Sequence, residues 1–327
     1  MFTMDAKMNI TVNGTRLSNC SIPTDPGDTK VGKAGITFAF SLILVVSLAG
    51  NLLIAIVVYK TKTLQRTTNY FIVNMAMSDL LFPLYILPSF LIELHGENIN
   101  VFSAHHNWAF CSVRLFFLYF TCLVSVVSLV FLAVDRFGAV VLPLRSPLIS
   151  SKLCFYVIFS TWLVLVVMST PAFFTNTYVY TGKLKCEWRS KESFVSYYSY
   201  AFPVVTCAIS LLLIIILYSI ILFKLKSQKI PGEQSVSAVE KRIKMHRNVF
   251  KMVAAIVIAF ILCWMPYSVF ISLHVFAKGN MNFLSCDRKP FWFFAVCMIH
   301  TNCAINPCLC FTFSGNFRQG LIGLFSC

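Results

Sequence analysis

Seven long apolar stretches, separated by short polar segments, dominate the pattern of hydrophobic and polar positions along the chain. They run over Gly35–Tyr59, Tyr70–Leu94, Ala109–Val134, Leu153–Phe174, Phe194–Phe223, Met252–Ala277 and Phe291–Phe313. An apolar run of about 20 residues can cross the hydrocarbon core of a bilayer as an α-helix. Because lipid offers the backbone no hydrogen-bond partners, each stretch must satisfy its polar groups within a helix. The pattern predicts an all-α membrane protein, a seven-transmembrane helix bundle.

The same pattern divides the chain into a polar tail (1–34), a transmembrane domain (35–313) and a short C-terminal segment (314–327). The tail holds no apolar run, so we expect no cleavable signal peptide. The longest linker, Ser227–Glu240, is polar and contains Pro231-Gly232, and we expect it to be mobile, with helix six continuing beyond the membrane after it. No internal repeat is visible, which argues against a transporter built on inverted repeats.

Composition supports lipid rather than water as the main solvent. Hydrophobic residues make up 58% of the chain and charged residues 12%, and the mean hydropathy is +0.77. A soluble domain carries about 25% charged residues because its surface faces water. The formal charge of +15 lies in the loops rather than on a soluble fold, so we expect membrane lipids and not nucleic acid as surroundings.

The basic residues collect on one side of the predicted membrane. That side holds Lys60, Lys62, Arg66, Arg145, Lys152, Lys224, Lys226, Lys229, Lys241, Arg242, Lys244, Arg247 and Lys251, with only Glu233 and Glu240 as acids outside the helix ends. The opposite loops mix both signs. Since positively charged loops stay in the cytoplasm, the N-terminus is predicted outside and the C-terminus inside.

Glycosylation motifs support the same orientation from different residues. Asn9, Asn13 and Asn19 each begin an Asn-x-Ser/Thr triplet within the short polar tail. Such triplets are glycosylated only where the chain enters the secretory lumen. We therefore expect a multi-pass protein of the plasma membrane with an extracellular N-terminal tail.

Four of the 13 cysteines fall in predicted extracellular segments: Cys20, Cys111, Cys186 and Cys286. Four cysteines allow three pairings, and the sequence alone does not choose between them, although an oxidising compartment favours disulfides. A Cys111–Cys186 bridge would hold the loop after helix four over the bundle, and Cys20 with Cys286 would then tie the tail to the last outer loop. The terminal Cys327 is either a palmitoylation site or a plain cysteine.

Asp79 is the only acid well inside a predicted span. A charge at mid-bilayer costs about 2.5–3.5 kcal/mol on insertion scales, so Asp79 needs a partner or a function. Candidate partners are Asn51, Ser125, Asn302 and Asn306. Two interpretations stay open, a structural hydrogen-bond centre and a site for a small hard cation.

Other polar and helix-breaking positions are weaker signals. Asp135-Arg136 closes helix three at the cytoplasmic face, where a charge pair at a helix end is common. Pro266 and Pro307 each remove a backbone hydrogen bond, in helices six and seven. Proline kinks are ordinary in membrane helices, so neither proline alone indicates a moving part.

The ordered set of motifs from Gly50 to Arg318 resembles the rhodopsin-like (class A) G-protein-coupled receptors. The motifs are Gly50-Asn51, Asn74 to Asp79, Cys111 placed 25 positions (136 − 111) before Arg136, Trp162 with Pro171 further out, Phe260-x-x-Cys263-Trp264-x-Pro266, Asn306-Pro307, and Phe317-Arg318. The last pair is similar to the start of the family's short amphipathic helix, which the resemblance therefore implies for the C-terminal segment.

The resemblance implies roles for these residues. The family's sodium pocket, which favours the inactive state, would consist of Asp79, Ser125, Asn302, Asn306 and Trp264. Arg136 would be released from Asp135 on activation and meet a heterotrimeric G protein as helix six swings outward about Pro266, with Asn306, Pro307 and Cys310 in the helix-seven part of the switch. Such a bundle has two states, whose equilibrium a ligand shifts by binding one of them better.

Three positions depart from the family pattern. Phe137 stands where tyrosine usually follows Asp-Arg, and Cys310 replaces the tyrosine of Asn-Pro-x-x-Tyr. In helix five, Pro203 lies 15 residues (218 − 203) before Tyr218, too far for the usual pairing. These departures leave a receptor-like protein with impaired signalling as an alternative.

Two positions bear on the ligand. Leu118, 18 positions (136 − 118) before Arg136, stands where amine receptors have aspartate, so the resemblance does not favour an amine. His300, seven positions (307 − 300) before Pro307, stands where opsins carry the retinal lysine. Helix seven, as predicted over Phe291–Phe313, holds no lysine, which excludes a retinal Schiff base.

The residue types in the loop from Tyr178 to Trp188 alternate along two short runs, Tyr178–Tyr180 and Leu184–Cys186, which is typical of a β-hairpin. Such a hairpin, with the tie between tail and outer loop, resembles the peptide-receptor subgroup and would leave an open vestibule for an extended peptide. Candidate pocket residues are Glu93, Arg114, Leu118, Glu187, Tyr267, Lys289, Trp292 and His300. The alternative for each is a residue that faces solvent or lipid headgroups.

Other function classes fit the sequence less well. A receptor for a lipid or another non-amine small molecule stays open as an alternative to a peptide receptor. A seven-helix transporter or proton conductor needs a chain of ionisable residues across the bilayer, whereas Asp79 has no second buried acid or lysine. An intramembrane enzyme is not expected, because the spans hold no His/Glu metal motif and no Ser/His or paired-Asp arrangement. Apart from a sodium ion, we expect no cofactor.

Overall fold

The computed structural model describes residues 11–12, 15–16, 29–95, 104–145, 147–174, 176–180, 184–188, 194–227, 236–276 and 288–325. Seven helices in this part of the chain are long and apolar enough to cross a membrane, and an eighth, shorter helix follows. They are α1 (Lys30–Lys60), α2 (Thr67–His95), α3 (Ala104–Val141), α4 (Ser151–Ser169), α5 (Phe194–Ser227), α6 (Val236–Phe276), α7 (Arg288–Phe313) and α8 (Gly315–Phe325). The predicted seven-helix bundle with its C-terminal helix is confirmed.

Local sequence explains several helix ends. Thr29 caps α1, since its hydroxyl accepts a hydrogen bond from the Gly32 N–H at 3.0 Å, and Ser150 caps α4 in the same way. The α4 helix gives way to a 3-10 turn at Thr170–Phe174, which contains Pro171. Proline has no N–H for the helical ladder, so the predicted fourth span ends as this turn rather than as α-helix.

Two boundaries differ from the sequence prediction. The α6 helix begins at Val236, inside the predicted Ser227–Glu240 linker, whose residues 228–235 lie outside the described residues. The α7 helix begins at Arg288 and so includes Lys289. The expectation that helix seven holds no lysine is therefore wrong for the whole helix, though it holds for the membrane-spanning part, Phe291–Phe313. The length of an apolar run predicts the part of a helix that lies in lipid. It does not predict a polar first turn such as that of α7.

The α3 helix is the centre of the bundle. Of the 18 most apolar consecutive residues of α3, 78% are buried, against 17% for the same length of the α4 span and 22% for that of α5. The α3 helix packs against α2, α4, α5 and α6. Large apolar side chains cover the outer faces of α4 and α5, among them Phe159 and Leu212. In water such faces would be costly, and in a bilayer they meet hydrocarbon.

Two of the apolar clusters in the described part of the bundle lie at different depths. The inner cluster includes Leu132, Tyr218, Val253 and Cys310, and Phe317 of α8 joins it. The outer cluster joins α2, α3, α6 and α7 and includes Leu118, Tyr119, Tyr267 and Ile299. Because Phe317 is buried against the inner cluster, the amphipathic α8 is fixed to the end of the bundle.

Two short hairpins and two further 3-10 turns, Lys62–Leu64 and Pro143–Arg145, accompany the long helices. Strands β1 (Thr11–Val12) and β2 (Thr15–Arg16) pair in the tail. Strands β3 (Asn176–Tyr180) and β4 (Leu184–Trp188) pair antiparallel between α4 and α5, with Tyr178 opposite Cys186. The second hairpin is the one that alternation over Tyr178–Trp188 predicts, and β3 packs against α3.

Candidate functional site

The carboxylate of Asp79 lies in the middle of the bundle and is bound by a helix far away in sequence. Asn306 of α7 donates from Nδ2 to Asp79 Oδ2 at 2.6 Å, and the Cys303 thiol also contacts the carboxylate. Asp79 is 1% exposed. The Asp79 side chain therefore joins α2 to α7.

The surroundings of Asp79 extend this contact to α1. Ser47 donates from Oγ to the Asp79 carbonyl at 3.3 Å. Asn51 donates from Nδ2 to the carbonyls of Ser47 and Cys303, both at 2.9 Å. Of the partners proposed from sequence, Asn306 binds the carboxylate and Asn51 binds backbone beside it.

Polar groups near mid-membrane remain open to further partners. Ser125 and Asn302 are both buried. Asn51 Oδ1 and Trp264 Nε1 are buried without a hydrogen-bond partner among the described residues. A buried carboxylate and neutral amide oxygens such as Asn51 Oδ1 are ligands that suit a small hard cation, whereas the Trp264 N–H is a donor only. The ring contacts of Trp264 are with Phe260 and Tyr267.

Arg136, at the far end of α3, is held by two other side chains. Its Nη2 lies 2.5 Å from Asp135 Oδ2, and its Nε lies 3.2 Å from the same oxygen. The Thr68 hydroxyl of α2 donates to Asp135 Oδ2 at 2.5 Å and accepts from Arg136 Nη2. Asp135 and Thr68 are buried, while Arg136 is partly exposed. The guanidinium therefore lies at the edge of the bundle, and its contacts are with buried side chains.

A second polar network joins three helices near the middle of α2. Trp162 of α4 donates from Nε1 to Asn74 Oδ1 at 2.7 Å. Asn74 in turn donates from Nδ2 to Ser128 Oγ of α3 at 2.8 Å. The Asn74 amide thus accepts a hydrogen bond from α4 and donates one to α3. These two bonds fix α2, α3 and α4 relative to each other.

The structure brings three of the candidate pocket residues together in the outer cluster. Leu118 and Tyr267 are buried there, and Trp292 packs against them. The ring centroids of Tyr267 and Trp292 are 5.9 Å apart. Arg114 lies one helical turn before Leu118 on α3. These aromatic rings and one cation could receive a ligand with apolar and acidic groups.

His300 occupies a different place from these residues. Its ring contacts Phe40 of α1 and Phe82 and Phe90 of α2, with centroids 4.9, 5.1 and 6.1 Å away. Its Nδ1 lies 2.6 Å from the Val296 carbonyl, and its Nε2 is buried without a partner among the described residues. The residue that matches the retinal position is thus enclosed by phenylalanine rings between α1, α2 and α7.

The activation-switch positions in the other helices are also defined. Pro266 and Pro307 lie inside α6 and α7. Cys310 is fully buried in the inner cluster. Tyr218 of α5 packs against Phe250 at 5.1 Å, and its hydroxyl is buried with no partner in the described part of the chain. Pro203 and Tyr218 both lie in one uninterrupted helix.

Several predicted residues cannot be compared with the structure. Cys111 is disulfide-bonded, but the partner sulfur is not among the described side chains, so the pairing with Cys186 stays a prediction. The side chains of Cys186, Glu187, Glu93 and Lys289 and the residues Asn9, Asn13, Asn19, Cys20, Cys286 and Cys327 lie outside what the structure describes.

Sequence reasoning missed Thr68, Ser47 and Cys303, each of which contacts a predicted site residue. Helical spacing could have indicated Ser47 and Cys303, whereas no spacing within α2 connects Thr68 with Asp135. Ser47 is four positions before Asn51, and Cys303 three before Asn306, so each pair shares a face.

Comparisons with known proteins agree with this architecture. Residues 50–309 match the family described as "7 transmembrane receptor (rhodopsin family)". The neuromedin-K receptor of Oryctolagus cuniculus is 30% identical over 243 residues, which is 72% of this chain and 50% of that receptor. The RYamide receptor of Drosophila melanogaster is 25% identical, over 86% of this chain and 61% of its own. The allatostatin-A receptor of Bombyx mori is 27% identical, over 95% and 86%.

The chain thus spans about half the length of the neuromedin-K receptors that it matches. The matched region nevertheless runs from α1 into α7 and includes the Asp79, Arg136 and Asn306 positions described above. The match is to a family of receptors rather than of enzymes. The chain belongs to the rhodopsin family of seven-transmembrane receptors.

Proposed function

We propose that this chain is a plasma-membrane receptor that binds a peptide outside the cell and activates heterotrimeric G proteins inside. Its N-terminus is extracellular and its C-terminus cytoplasmic in this proposal. The excess of lysine and arginine in the loops on the α8 side supports that orientation.

The observation that carries the signalling part is the state of Arg136. The guanidinium stands at the cytoplasmic end of the central helix but is bound inward by Asp135 and Thr68. A cation held in this way is a two-state element, because loss of the contacts would present it to an acidic or carbonyl-rich partner. Ligand binding at the outer cluster would act on it by shifting the bundle towards the second state.

Three observations support a peptide as the ligand. The similar proteins are named as receptors for neuromedin K, RYamide, substance P and allatostatin A. The β3–β4 hairpin packs on α3, and such a hairpin is typical of the peptide-receptor subgroup that the sequence resembles. Leu118 offers no carboxylate to an amine.

The test is G-protein activation in cells that express the chain, challenged with a broad peptide library. We expect a subset of peptides to activate the wild type and to be silent with Arg136→Ala. Lys60→Ala is the matched control, since Lys60 is an exposed basic residue at the same end of the bundle on another helix. A response unchanged by Arg136→Ala would contradict the proposed role of the arginine. Silence of the whole library, with the protein present at the surface, would contradict the peptide assignment and favour a lipid or other small molecule.

Asp79 is the proposed centre of an allosteric sodium site that favours the inactive state. Its buried carboxylate accepts a hydrogen bond from Asn306, and the resemblance adds the buried Asn302 and Ser125 as neutral oxygen ligands. We expect replacement of sodium by a large organic cation to raise basal signalling in the wild type and to have no effect in Asp79→Asn. The measurement is basal G-protein activity in membranes at constant ionic strength. Equal sodium sensitivity of the two proteins would exclude the ion site while leaving the receptor function untouched.

A further inference from the structure

Two thiols from different helices meet inside the membrane-spanning part of the bundle. Cys122 Sγ of α3 and Cys207 Sγ of α5 are 3.8 Å apart, although the two residues are 85 positions apart in the sequence. They belong to the spans Cys111–Val141 and Ala201–Leu225. Both cysteines are free, so two reduced sulfurs face each other where α5 packs on the central helix.

The thiol pair is separate from the aromatic residues that could receive the receptor's ligand. Cys122 is a buried member of the inner cluster, and Cys207 packs against that cluster. Neither cysteine belongs to the outer cluster, which contains Leu118, Tyr267 and Trp292. The pair therefore offers a reaction between its own two sulfurs that needs no bound ligand.

The two sulfurs differ in their access from the bilayer. Cys122 is 3% exposed, whereas Cys207 is half-buried. Two close neighbours of Cys207 on α5, Val204 and Ala208, are exposed on the outside of the helix. A reagent that reaches this depth must be uncharged, because a charge in hydrocarbon is costly. An organic or lipid hydroperoxide is such a reagent, and Cys207 is the sulfur that it meets first.

The distance between the sulfurs suits conversion of the pair into a disulfide. A disulfide holds its sulfurs about 2.05 Å apart, so Cys122 Sγ and Cys207 Sγ would have to approach by about 1.8 Å. Rotation about the Cα–Cβ bond of each cysteine moves its sulfur over a distance of this order. Because α3 and α5 already pack extensively, the bond can form without bringing distant helices together.

We propose that Cys122 and Cys207 are a redox modification site, a dithiol that a hydroperoxide in the membrane oxidises to an interhelical disulfide. First the Cys207 sulfur attacks the hydroperoxide: an S–O bond forms, the O–O bond breaks, and the thiol proton goes to the leaving alkoxide, which becomes an alcohol. Then Cys122 attacks the sulfenic acid of Cys207: the S–S bond forms, the S–O bond breaks, and hydroxide leaves with the Cys122 proton as water. The two electrons that the thiols lose reduce the hydroperoxide.

The disulfide ties α5 covalently to the central helix and closes a long loop of the chain. A crosslink of this kind restricts the unfolded chain more than the folded one. The oxidised protein should therefore unfold at a higher temperature than the reduced protein, and reduction should reverse the difference. This shift is expected only where both sulfurs are present.

The test uses the full chain in phosphatidylcholine nanodiscs treated with cumene hydroperoxide. Free thiols are then blocked with N-ethylmaleimide, and disulfide-linked peptides are quantified by mass spectrometry with and without reduction. Cys122→Ser and Cys207→Ser each remove one sulfur. Cys308→Ser is the matched control, since Cys308 is a free and exposed cysteine of α7. Thermal unfolding shows that each variant is folded.

We expect a Cys122–Cys207 linked peptide in the treated wild type and in treated Cys308→Ser, and its loss in both of the other variants. Dimedone, which traps sulfenic acids, should label Cys207 in Cys122→Ser, because no second thiol is there to displace the hydroxyl. In Cys207→Ser, Cys122 should stay reduced because it is buried.

Two results would overturn the proposal. Dimedone labelling of Cys207 in the wild type without a linked peptide would show that the two sulfurs do not meet. Reduced Cys122 and Cys207 in a wild type whose exposed Cys308 is oxidised would show that the pair only fills space between α3 and α5.

Discussion

Thr68 illustrates how one hydroxyl can set the balance between two states. It donates to Asp135 and accepts from Arg136 at the same time, so its removal weakens the inward contact of the guanidinium from both sides. Hydrogen bonds to charged groups contribute about 1.5–3 kcal/mol. Thr68→Val keeps the shape and deletes the hydroxyl.

We predict that Thr68→Val raises basal G-protein signalling by roughly 5-fold or more, the effect of about 1 kcal/mol on a two-state equilibrium. Basal nucleotide exchange at equal surface expression is the measurement. Thr67→Val serves as control, because the Thr67 hydroxyl donates to the Ile149 carbonyl and does not contact Arg136. Similar basal activity of wild type and Thr68→Val would show that the hydroxyl does not hold the arginine.

Asn74 acts on stability rather than on switching. Its amide is the shared partner of Trp162 and Ser128, and Asn74→Ala leaves the half-buried Trp162 N–H without an acceptor. Interhelical hydrogen bonds in membranes contribute about 0.6–1.7 kcal/mol. We predict a loss of about 1–2 kcal/mol in the free energy of unfolding in detergent. Ser160→Ala, which removes an exposed hydroxyl bonded within α4, should leave unfolding unchanged. A loss of equal size in both variants would count against the network.

At the scale of helices, α1 and α7 approach closely because position 50 has no side chain. A Cβ at Gly50 would lie 2.6 Å from Pro307 Cγ and 2.7 Å from Pro307 Cβ. The proline ring is rigid, so the helices would have to separate. Gly35, in the same helix, has nothing within 4 Å of its Cβ position.

We predict that Gly50→Ala destabilises the folded bundle by about 1–3 kcal/mol, the usual effect of overpacking. Gly35→Ala should be neutral or stabilising, since alanine favours helix over glycine. Thermal unfolding of both variants in the same detergent decides between packing and a general effect of alanine in α1. The packing argument fails if Gly50→Ala unfolds at the wild-type temperature.

The sequence predicts helices well and contacts between helices only in part. Apolar length is a local property, so all seven spans can be located, as can the β3–β4 hairpin. Which polar side chains meet depends on the tilt and rotation of each helix, and packing sets those. Asn306 could be named as a candidate partner of Asp79, but not chosen over Asn51. Thr68 and Asp135 are 67 positions apart, and no local pattern connects them.

At the scale of the whole molecule, the described residues of α6 are held mainly by one neighbouring helix. The α6 helix packs extensively against α7, but only lightly against α3 and α5. Its part before the membrane span, from Val236 to Asn248, lengthens any swing about Pro266. Movement of α6 therefore breaks few contacts with α3, while its contacts with α7 can be kept.

This asymmetry predicts which distances change on activation. Spin labels at Lys251→Cys in α6 and Lys152→Cys in α4, both at exposed positions, should move apart in the Thr68→Val background relative to wild type. A pair at Lys60→Cys and Lys152→Cys should stay constant, because neither α1 nor α4 is expected to swing. Pulsed electron paramagnetic resonance measures both distances, with the exposed Cys308 exchanged for serine to limit background labelling.

The use of Thr68→Val makes this measurement independent of the unidentified ligand. If basal signalling rises in Thr68→Val and the α6–α4 distance stays constant, release of Arg136 and movement of α6 are separate events, and the swing about Pro266 is wrong for this receptor. If both distances widen together, the bundle loosens as a whole rather than pivoting. An increase in the α6–α4 distance alone would show that release of Arg136 is coupled to movement of α6. We expect this outcome because α3 has few contacts with α6, whereas Arg136 is bound closely by Asp135.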